Sequence, residues 1–415
     1  MTLVRRFGGT AAAYGISSVC TFALTIVVAR SLPEKQVALV GLVLAAATLA
    51  AAVGAGIDSA AARTVVRAGK GKAVDWLFVR ATRLRLACLA ATLVLLCGYL
   101  VHAAGPLSGS GWALGLAVAC LVAYALGSCA AYLLCYEPQA RGDSRLQAAV
   151  QASFAVPVLL AVIVATSLGL GSEGLLAAMV LGGAPAVAWL GWKYARSRGH
   201  RRAADGASGF RSLAAALTVG TVAFAIYQRL DLLWVGATRT SSDVAQYAIA
   251  NRVVSGFSLL TATLVIVGLP TIGAASTRSQ ALGALARLRV PLLAVGGAAV
   301  VCAAVAPLGV PLVFGSAYSD AGVLTSLLLL QYVPLLTYSL VNIPLPFICG
   351  RRTVVLQAVI LLAVEAAWLV IWRGADLTVL ALAPLAGQCA AAAFTWLQLS
   401  RVDADGTLGI AEART

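Results

Sequence analysis

The sequence predicts an all-α polytopic membrane protein, with about 12 transmembrane helices in two pseudo-symmetric six-helix halves. Three observations lead to this fold class. Of the 415 residues, 61% are hydrophobic and only 11% are charged, and the mean hydropathy is +0.94. Apolar segments of about twenty residues, the length that a helix needs to cross a bilayer, recur along the chain. Basic residues concentrate in alternate links between these segments, as the positive-inside rule requires.

The predicted spans follow one another with short polar links. The first comes after Arg5 and Arg6. We interpret it as a helix rather than a cleaved signal peptide, because its apolar run is too long for that role and further spans follow. The twelve spans are predicted at 8–28, 37–60, 86–104, 112–136, 148–168, 174–192, 212–236, 244–275, 290–310, 323–343, 353–372 and 378–399.

The positions of lysine and arginine predict the orientation. Of the 30 basic residues, 24 lie in the links assigned to the inner side, four in outer links and two inside spans. The inner side carries the excess in cytoplasmic membranes. We therefore expect a multi-pass protein of the cell inner (plasma) membrane with both termini in the cytoplasm. The basic segment 63–85 is counted as one of the inner links.

The longest polar stretch divides the predicted bundle. We expect an N-terminal six-helix half at 1–192, a cytoplasmic basic linker at 193–211, a C-terminal six-helix half at 212–399 and a cytoplasmic tail at 400–415. With six spans in each half, both halves enter the membrane in the same orientation, as in transporters with parallel repeats.

A weak internal repeat agrees with this division. The segment at 36–38 aligns with the segment at 243–245 at an offset of 207, which is half the chain length. A substrate path between the two halves is the expectation for such an arrangement.

The composition and motifs exclude several function classes. The net charge of +15 is explained by the basic inner links, so no nucleic-acid partner is expected. Eight of the nine cysteines lie in apolar segments, no CxxC pair occurs, and His102 and His200 are far apart. We therefore expect no metal and no cofactor. The sequence has no GxxxxGK[ST] pattern, which argues against ATP hydrolysis by this chain.

Three charges inside apolar sequence are the main candidate site. Arg229 and Asp231 lie in span seven, and Arg252 lies in span eight. At 1.5 Å per residue both arginines lie roughly 11 Å below the outer surface. Asp231 points away from Arg229, because residues two apart on a helix face different sides. Either the arginines line a wet path while Asp231 satisfies a neighbour, or Asp231 pairs with Arg252 and locks the hairpin.

Two further acidic residues are of interest. Glu365 lies in the middle of span eleven, where it either carries a coupling proton or stays neutral and hydrogen-bonded. Asp58 lies near the inner end of span two, close to Arg63. For Asp58 we expect a solvated ion pair at the membrane surface.

Four loose motifs together carry a family resemblance. They are ARSLPEKQVALVGLVLA followed by GAGIDSAAAR, RLDLLWVG followed by VAQYAIANRV, PLVFGSAYSDAG at the start of span ten, and ICGRRTVV before span eleven. The chain resembles a polysaccharide-repeat-unit flippase (Wzx type) of the multidrug/oligosaccharidyl-lipid/polysaccharide exporter (MOP) superfamily. The resemblance implies a MATE-like fold.

The resemblance also implies a function. The protein would be a translocase rather than an enzyme. It would move an undecaprenyl-diphosphate-linked oligosaccharide from the inner to the outer leaflet by alternating access. Arg252 and Arg229 would bind the diphosphate, because the planar fork of arginine suits phosphate. The partners implied are the lipid-linked oligosaccharide, membrane lipids, and the glycan polymerase and glycosyltransferases of the same pathway.

Two other function classes compete with this one. A small-molecule or multidrug exporter of the same fold fits the same topology. A membrane glycosyltransferase or polymerase fits less well, because the outer links are short and carry single acidic residues. Drug-exporting relatives have an acidic residue in span one and this chain has none, so the coupling ion stays open. The sequence leaves the glycan and the oligomeric state open as well.

Overall fold

The computed structural model describes residues 3–402, except positions 59, 62–72, 109, 142, 198–209, 273–276, 343–344, 346–348 and 350. Within these residues the chain is helical, with turns and bends but no strand. The predicted all-α class is confirmed.

Within the described residues, eight helices with defined bounds precede Arg239, besides the short helical stretch at 55–58. Those that match predicted spans are long, because leucine, valine and alanine dominate them and few residues in their interiors break a helix. In chain order they are α1 (Leu3–Ser31), α2 (Glu34–Val53), α3 (Ala73–Ser108), α4 (Gly111–Arg141), α5 (Ser144–Ser167), α6 (Gly171–Gly182), α7 (Ala184–Ser197) and α8 (Phe210–Thr238).

The remainder of the chain continues the pattern with shorter pieces among the long helices. A single 3₁₀ turn, Ser316–Tyr318, precedes α12. The helices are α9 (Ser241–Ile272), α10 (Arg278–Arg287), α11 (Arg289–Phe314), α12 (Ser319–Leu330), α13 (Tyr332–Ser339), α14 (Arg351–Ile371), α15 (Leu377–Leu380) and α16 (Ala383–Ser400).

Most predicted spans reappear as apolar helices of sufficient length. Nine segments in the described part of the chain are long and apolar enough to cross a membrane. They match the predicted spans two to six and nine to twelve. In the first span only Gly15–Ser31 qualifies, as a shorter apolar helix. The seventh and eighth spans correspond to α8 and α9, the helices that carry the candidate charges.

The chain divides into two compact units. The first is Met1–Ile249 and the second is Ala250–Thr415. In the first unit α1 packs against α5, and α2 packs against α3, α4 and α8. In the second unit α11 packs against α12, and α14 packs against α16. Helix α8 therefore belongs to the first unit, although it begins the predicted C-terminal half.

The predicted linker at 193–211 is helical at both ends. Residues 193–197 continue α7, and α8 starts at Phe210. Positions 198–209 lie outside the described residues, as do 403–415 of the predicted tail. The division into six-helix halves stays a prediction.

Candidate functional site

The C-terminal end of α8 packs closely against α2 and α3. A Cβ added at Gly236 would collide with the side chain of Leu42 and would lie 2.8 Å from the hydroxyl of Tyr99. That hydroxyl donates a hydrogen bond to the carbonyl oxygen of Leu233 at 2.7 Å. Glycine is needed here because the neighbouring helices approach too closely for a side chain.

Two further contacts fix the hairpin of α8 and α9 in the first unit. The backbone N–H of Gly56 donates to the hydroxyl of Thr221 at 3.1 Å. A Cβ added at Gly41 of α2 would lie 2.6 Å from the Cβ of Ala248, on the first half of α9. Helix α2 thus contacts both arms of the hairpin.

Arg229 lies on α8 between these contact points. It is eight residues after Thr221 and four before Leu233, and it is half-buried. Its charge acts on the carboxylate of Asp231 and on the phenol of Tyr132 from α4. A guanidinium at this place puts a permanent positive charge within the spanning part of the first unit.

Asp231 is buried, with 2% of its surface exposed. Its Oδ2 atom accepts a hydrogen bond from the hydroxyl of Tyr247 on α9 at 2.8 Å. Its Oδ1 atom accepts from the N–H of Leu232 at 2.7 Å. The carboxylate therefore joins the two arms of the hairpin through Tyr247, a partner that the sequence analysis did not foresee.

Arg252 is half-buried and lies just beyond the boundary between the compact units. Its stretch of α9 is held within the second unit by Tyr332. The hydroxyl of Tyr332 donates to the carbonyl oxygen of Val254 at 3.0 Å, and its ring lies edge-on to Phe257 at 5.1 Å. The predicted meeting of Arg252 with Arg229 or Asp231 stays a prediction, because these residues belong to different units.

The structure corrects the prediction for Asp58. It is buried rather than solvated, and Nη2 of Arg85 lies 3.3 Å from its Oδ2 atom. Arg85 itself was counted in the basic inner segment, yet it belongs to α3 and only 1% of its side chain is exposed. Asp58 forms a buried ion pair instead of the expected solvated one, because its partner Arg85 lies on the apolar face of α3.

That face could have been recognised from spacing alone. The buried residues near the start of α3 recur at intervals of three and four, which is the period of one helix face. They are Leu77, Phe78, Ala81, Thr82, Arg85 and Leu89. Arg83, two positions before Arg85, is exposed, and its guanidinium donates a hydrogen bond to the hydroxyl of Tyr194.

Arg85 also forms a hydrogen bond with the backbone at a break in α2. The helix ends at Val53, and a guanidinium N–H of Arg85 donates to the carbonyl oxygen of Ala51. Gly54 leaves the space for it, since an added Cβ would collide with the guanidinium. The guanidinium carbon also lies 5.9 Å from the ring centre of Tyr132, within the range of a cation–π contact.

Glu365 is fully buried where α14 faces α16. A Cβ added at Gly387 would lie 3.5 Å from the Cβ of Glu365, so these two positions face each other. Two turns earlier on α14, Gln357 donates to the hydroxyl of Thr395 at 2.7 Å. Eight residues back from Glu365 on α14 corresponds to eight residues forward from Gly387 on α16. The two helices therefore run antiparallel.

Polar side chains follow this interface toward the predicted inner side. Gln357 also donates to the amide oxygen of Asn342 at 3.0 Å, and Tyr338 donates to the amide oxygen of Gln388. Gln388 and Thr395 are fully buried. Together with Glu365 these residues form what we call the polar seam of the second unit.

Metal ligation finds no support in the described part of the chain. No three His, Cys, Asp or Glu side chains come together there in a group that could hold a metal ion. The nine cysteines are free thiols.

Comparison with known proteins identifies the fold. No protein-family model and no curated protein sequence matches the chain. Solved structures do match. An inward-facing multidrug resistance MATE family transporter of the MOP superfamily matches at a TM-score of 0.67 and 15% identity, over 93% of this chain and 94% of that one.

Two other solved structures are similar over nearly the whole chain. The lipid II flippase MurJ, in an inward closed conformation, matches at a TM-score of 0.67 and 14% identity, over 94% of this chain and 86% of that one. The MATE multidrug transporter DinF-BH in complex with R6G matches at 0.63 and 15% identity, over 96% and 95%. The chain therefore has the MATE fold that the sequence predicted.

Proposed function

We propose that this protein is a flippase that moves an undecaprenyl-diphosphate-linked oligosaccharide across the cell inner membrane by alternating access. The observation that carries the proposal is Arg229, a half-buried arginine in the spanning helix α8. Asp231, two residues further along the same helix, accepts hydrogen bonds from Tyr247 and Leu232, so the hairpin around Arg229 is ordered. A cation placed within hydrocarbon depth is costly and is usually retained for a function.

The substrate class follows from the chemistry of arginine. A guanidinium keeps its charge at every physiological pH and can donate two parallel hydrogen bonds to one phosphate group. Arg229 and Arg252 would bind the diphosphate. The lipid tail would stay in the membrane, and no bond of the substrate would change.

The structural neighbours support both the proposal and its main rival. A flippase of lipid II shares this fold, which favours a lipid substrate for this chain. Multidrug transporters share it to the same extent, which keeps a small-molecule exporter as the second candidate. Glycosyltransferases and a glycan polymerase of the same pathway would be the protein partners of a flippase. Both termini would lie in the cytoplasm.

Binding of the purified protein to defined ligands separates the two candidates. The probes are undecaprenyl diphosphate, undecaprenyl monophosphate and a cationic dye, each added to the full-length protein before native mass spectrometry. A flippase of the proposed kind binds the diphosphate more tightly than the monophosphate and binds the dye weakly. Preference for the dye would support an exporter instead.

Variants then test the two arginines. Arg229→Ala and Arg252→Ala should each weaken diphosphate binding, since each removes charge-assisted hydrogen bonds worth about 1.5–3 kcal/mol. Lysine at either position should restore part of the binding, because it keeps the charge without the fork. Arg289→Ala is the matched control, because Arg289 is exposed at the start of α11. An equal loss in the Arg289 variant would mean that binding is only a surface charge effect.

We further propose that Glu365 carries the proton that couples transport to the membrane gradient. The proposal is supported by its complete burial opposite Gly387, between the two helices that also carry the buried Gln357, Gln388 and Thr395. In proteoliposomes Glu365→Gln should abolish proton uptake that accompanies transport, while undecaprenyl diphosphate binding remains. Unchanged proton uptake in this variant would make Glu365 a structural member of the seam.

A further inference from the structure

The break in α2 is held by neighbouring helices as well as by local backbone hydrogen bonds, such as that from Ile57 to Gly54. The chain leaves helical geometry at Gly54 and is helical again at 55–58. Carbonyl groups at such a break lose their partners within the helix, and in an apolar environment each loss is costly. The guanidinium of Arg85, on α3, donates a hydrogen bond to the carbonyl oxygen of Ala51. The hydroxyl of Thr221, on α8, accepts one from the N–H of Gly56. The break is therefore an ordered joint that two neighbouring helices keep closed.

The charge on Arg85 is balanced by Asp58, just beyond the break. The two groups are 3.3 Å apart, but neither carboxylate oxygen makes a hydrogen bond to any described residue. The Nε and Nη1 atoms of Arg85 likewise have no hydrogen-bond partner there. A buried ion pair needs additional hydrogen bonds to offset the loss of hydration. Apart from the hydrogen bond of Arg85 to Ala51, the pair is held by charge attraction alone.

Asp58 is the member of the pair that can change its charge. Arginine does not lose its proton in proteins. The side chain of Asp58 is 12% exposed against 1% for Arg85, and Asp58 is the last residue of its apolar span. Cys129 and Tyr132 of α4 lie close to both members of the pair, and Cys135 of α4 lies close to Asp58. Beyond them, Cys88 of α3 lies close to Cys129, and Arg229 of α8 lies close to Tyr132. Arg85 is the charge that acts directly on Asp58.

We propose that Asp58 is a proton-binding site and that Asp58, Arg85, Ala51 and Gly54 form a latch at the inner end of α2. Proton uptake cancels the charge of Asp58 and leaves Arg85 buried without its counter-charge. Arg85 then leaves the carbonyl of Ala51, and α2 is free to flex at Gly54. The latch goes beyond the proposed function, because it does not depend on which molecule is transported.

Hydrogen exchange of the full-length protein in lipid nanodiscs tests the latch without any transport substrate. Exchange is followed by mass spectrometry in peptides that cover residues 51–58, across neutral and mildly acidic pH, after correction for the intrinsic effect of pH on amide exchange. In the wild-type protein, acidification should raise the corrected exchange of these residues at least about fivefold. Peptides from α5 serve as the internal reference.

Substitutions assign the effect to the latch. Asp58→Asn should exchange rapidly at every pH, because its side chain cannot be charged. Gly54→Ala should do the same while Asp58 is retained, because the new methyl group displaces the guanidinium. Glu137→Gln is the matched control, since it removes the partially exposed pair of Glu137 with Lys193 in the same unit. This control should keep the wild-type pH dependence.

The wild-type measurement decides the proposal even if a variant does not fold. Corrected exchange at 51–58 that does not change with pH would overturn it and make Asp58–Arg85 a permanent structural pair. A pH response that survives in Asp58→Asn would also overturn it, since another group would then bind the proton. Loss of diphosphate binding by the arginine variants of α8 and α9 tests only the flippase proposal, so the two can fail separately.

Discussion

The hydroxyl of Tyr247 donates a 2.8 Å hydrogen bond to the carboxylate of Asp231 across the hairpin of α8 and α9. Both residues are buried, with Tyr247 fully so. We predict that Tyr247→Phe lowers the free energy of unfolding by about 1.5–3 kcal/mol, because a buried carboxylate loses its donor. Thermal unfolding in detergent measures the loss. Tyr194→Phe, whose hydroxyl has an exposed partner, should change stability little.

A pair of double-mutant cycles identifies the group that holds Asp231. In the cycle of Asp231→Asn with Tyr247→Phe, we expect a coupling energy of at least about 0.5 kcal/mol, as for residues in contact. The cycle of Asp231→Asn with Arg252→Gln tests the alternative prediction for Asp231. Coupling in the second cycle would support the alternative in which Asp231 and Arg252 lock the hairpin.

Two glycines on α8 give a matched test of its close seating. Gly236→Ala should destabilise the protein by about 1–3 kcal/mol, because its methyl group meets Leu42 and Tyr99. Gly220→Ala should be neutral or slightly stabilising, since a Cβ there meets nothing within 4 Å. Thermal unfolding of both variants provides the comparison. Equal effects would mean that the loss at Gly236 comes from helix propensity and not from the contact.

The polar seam of the second unit can be tested at Gln357. We predict that Gln357→Leu destabilises the protein more than Thr395→Val does. Gln357→Leu removes the hydrogen bonds that Gln357 donates to Asn342 and to Thr395. Thr395→Val removes only the second of these bonds. Unfolding in detergent again provides the measurement. A larger loss for Thr395→Val would show that Gln357 is not the centre of the seam.

The predicted orientation is tested by labelling single cysteines from either side of the membrane. All nine native cysteines are replaced first, because two of them, Cys302 and Cys389, are exposed. Cysteines placed at Gly71 and His200 should react from the cytoplasm, and those at Ser108 and Ser316 from outside. Reaction of Ser108 and His200 positions from the same side would rule out the twelve-span topology.

The sequence was sufficient for the fold because the apolar segments are long and the charges few. It also placed Asp231 and Glu365 correctly within apolar helices. It did not reveal their partners, since which face of α9 meets α8 depends on packing. Tyr247 lies 16 residues from Asp231, across a turn, and no local pattern indicates that they touch.

Arg85 shows a different reason for a wrong prediction. A run of basic residues between two spans is typical of a solvated inner link, and charge counting treats every member alike. Arg85 differs from Arg83 only in its position on the helix, which puts one arginine among apolar neighbours and the other at the surface. The three- and four-residue spacing of the apolar residues on α3 would have distinguished buried Arg85 from exposed Arg83. A count of basic residues in the segment could not.

The contacts of α8 with the first unit determine where the chain could be cut into separate fragments. The apparent sequence repeat begins its second copy with α8, but Gly56, Tyr99 and Leu42 of the first unit take α8 as their partner. A fragment ending within 198–209 would leave the amide of Gly56 and the hydroxyl of Tyr99 unsatisfied and would expose the side chain of Leu42 that packs against Gly236. A six-helix fragment made on its own would therefore be incomplete, and α8 supplied separately should assemble with it.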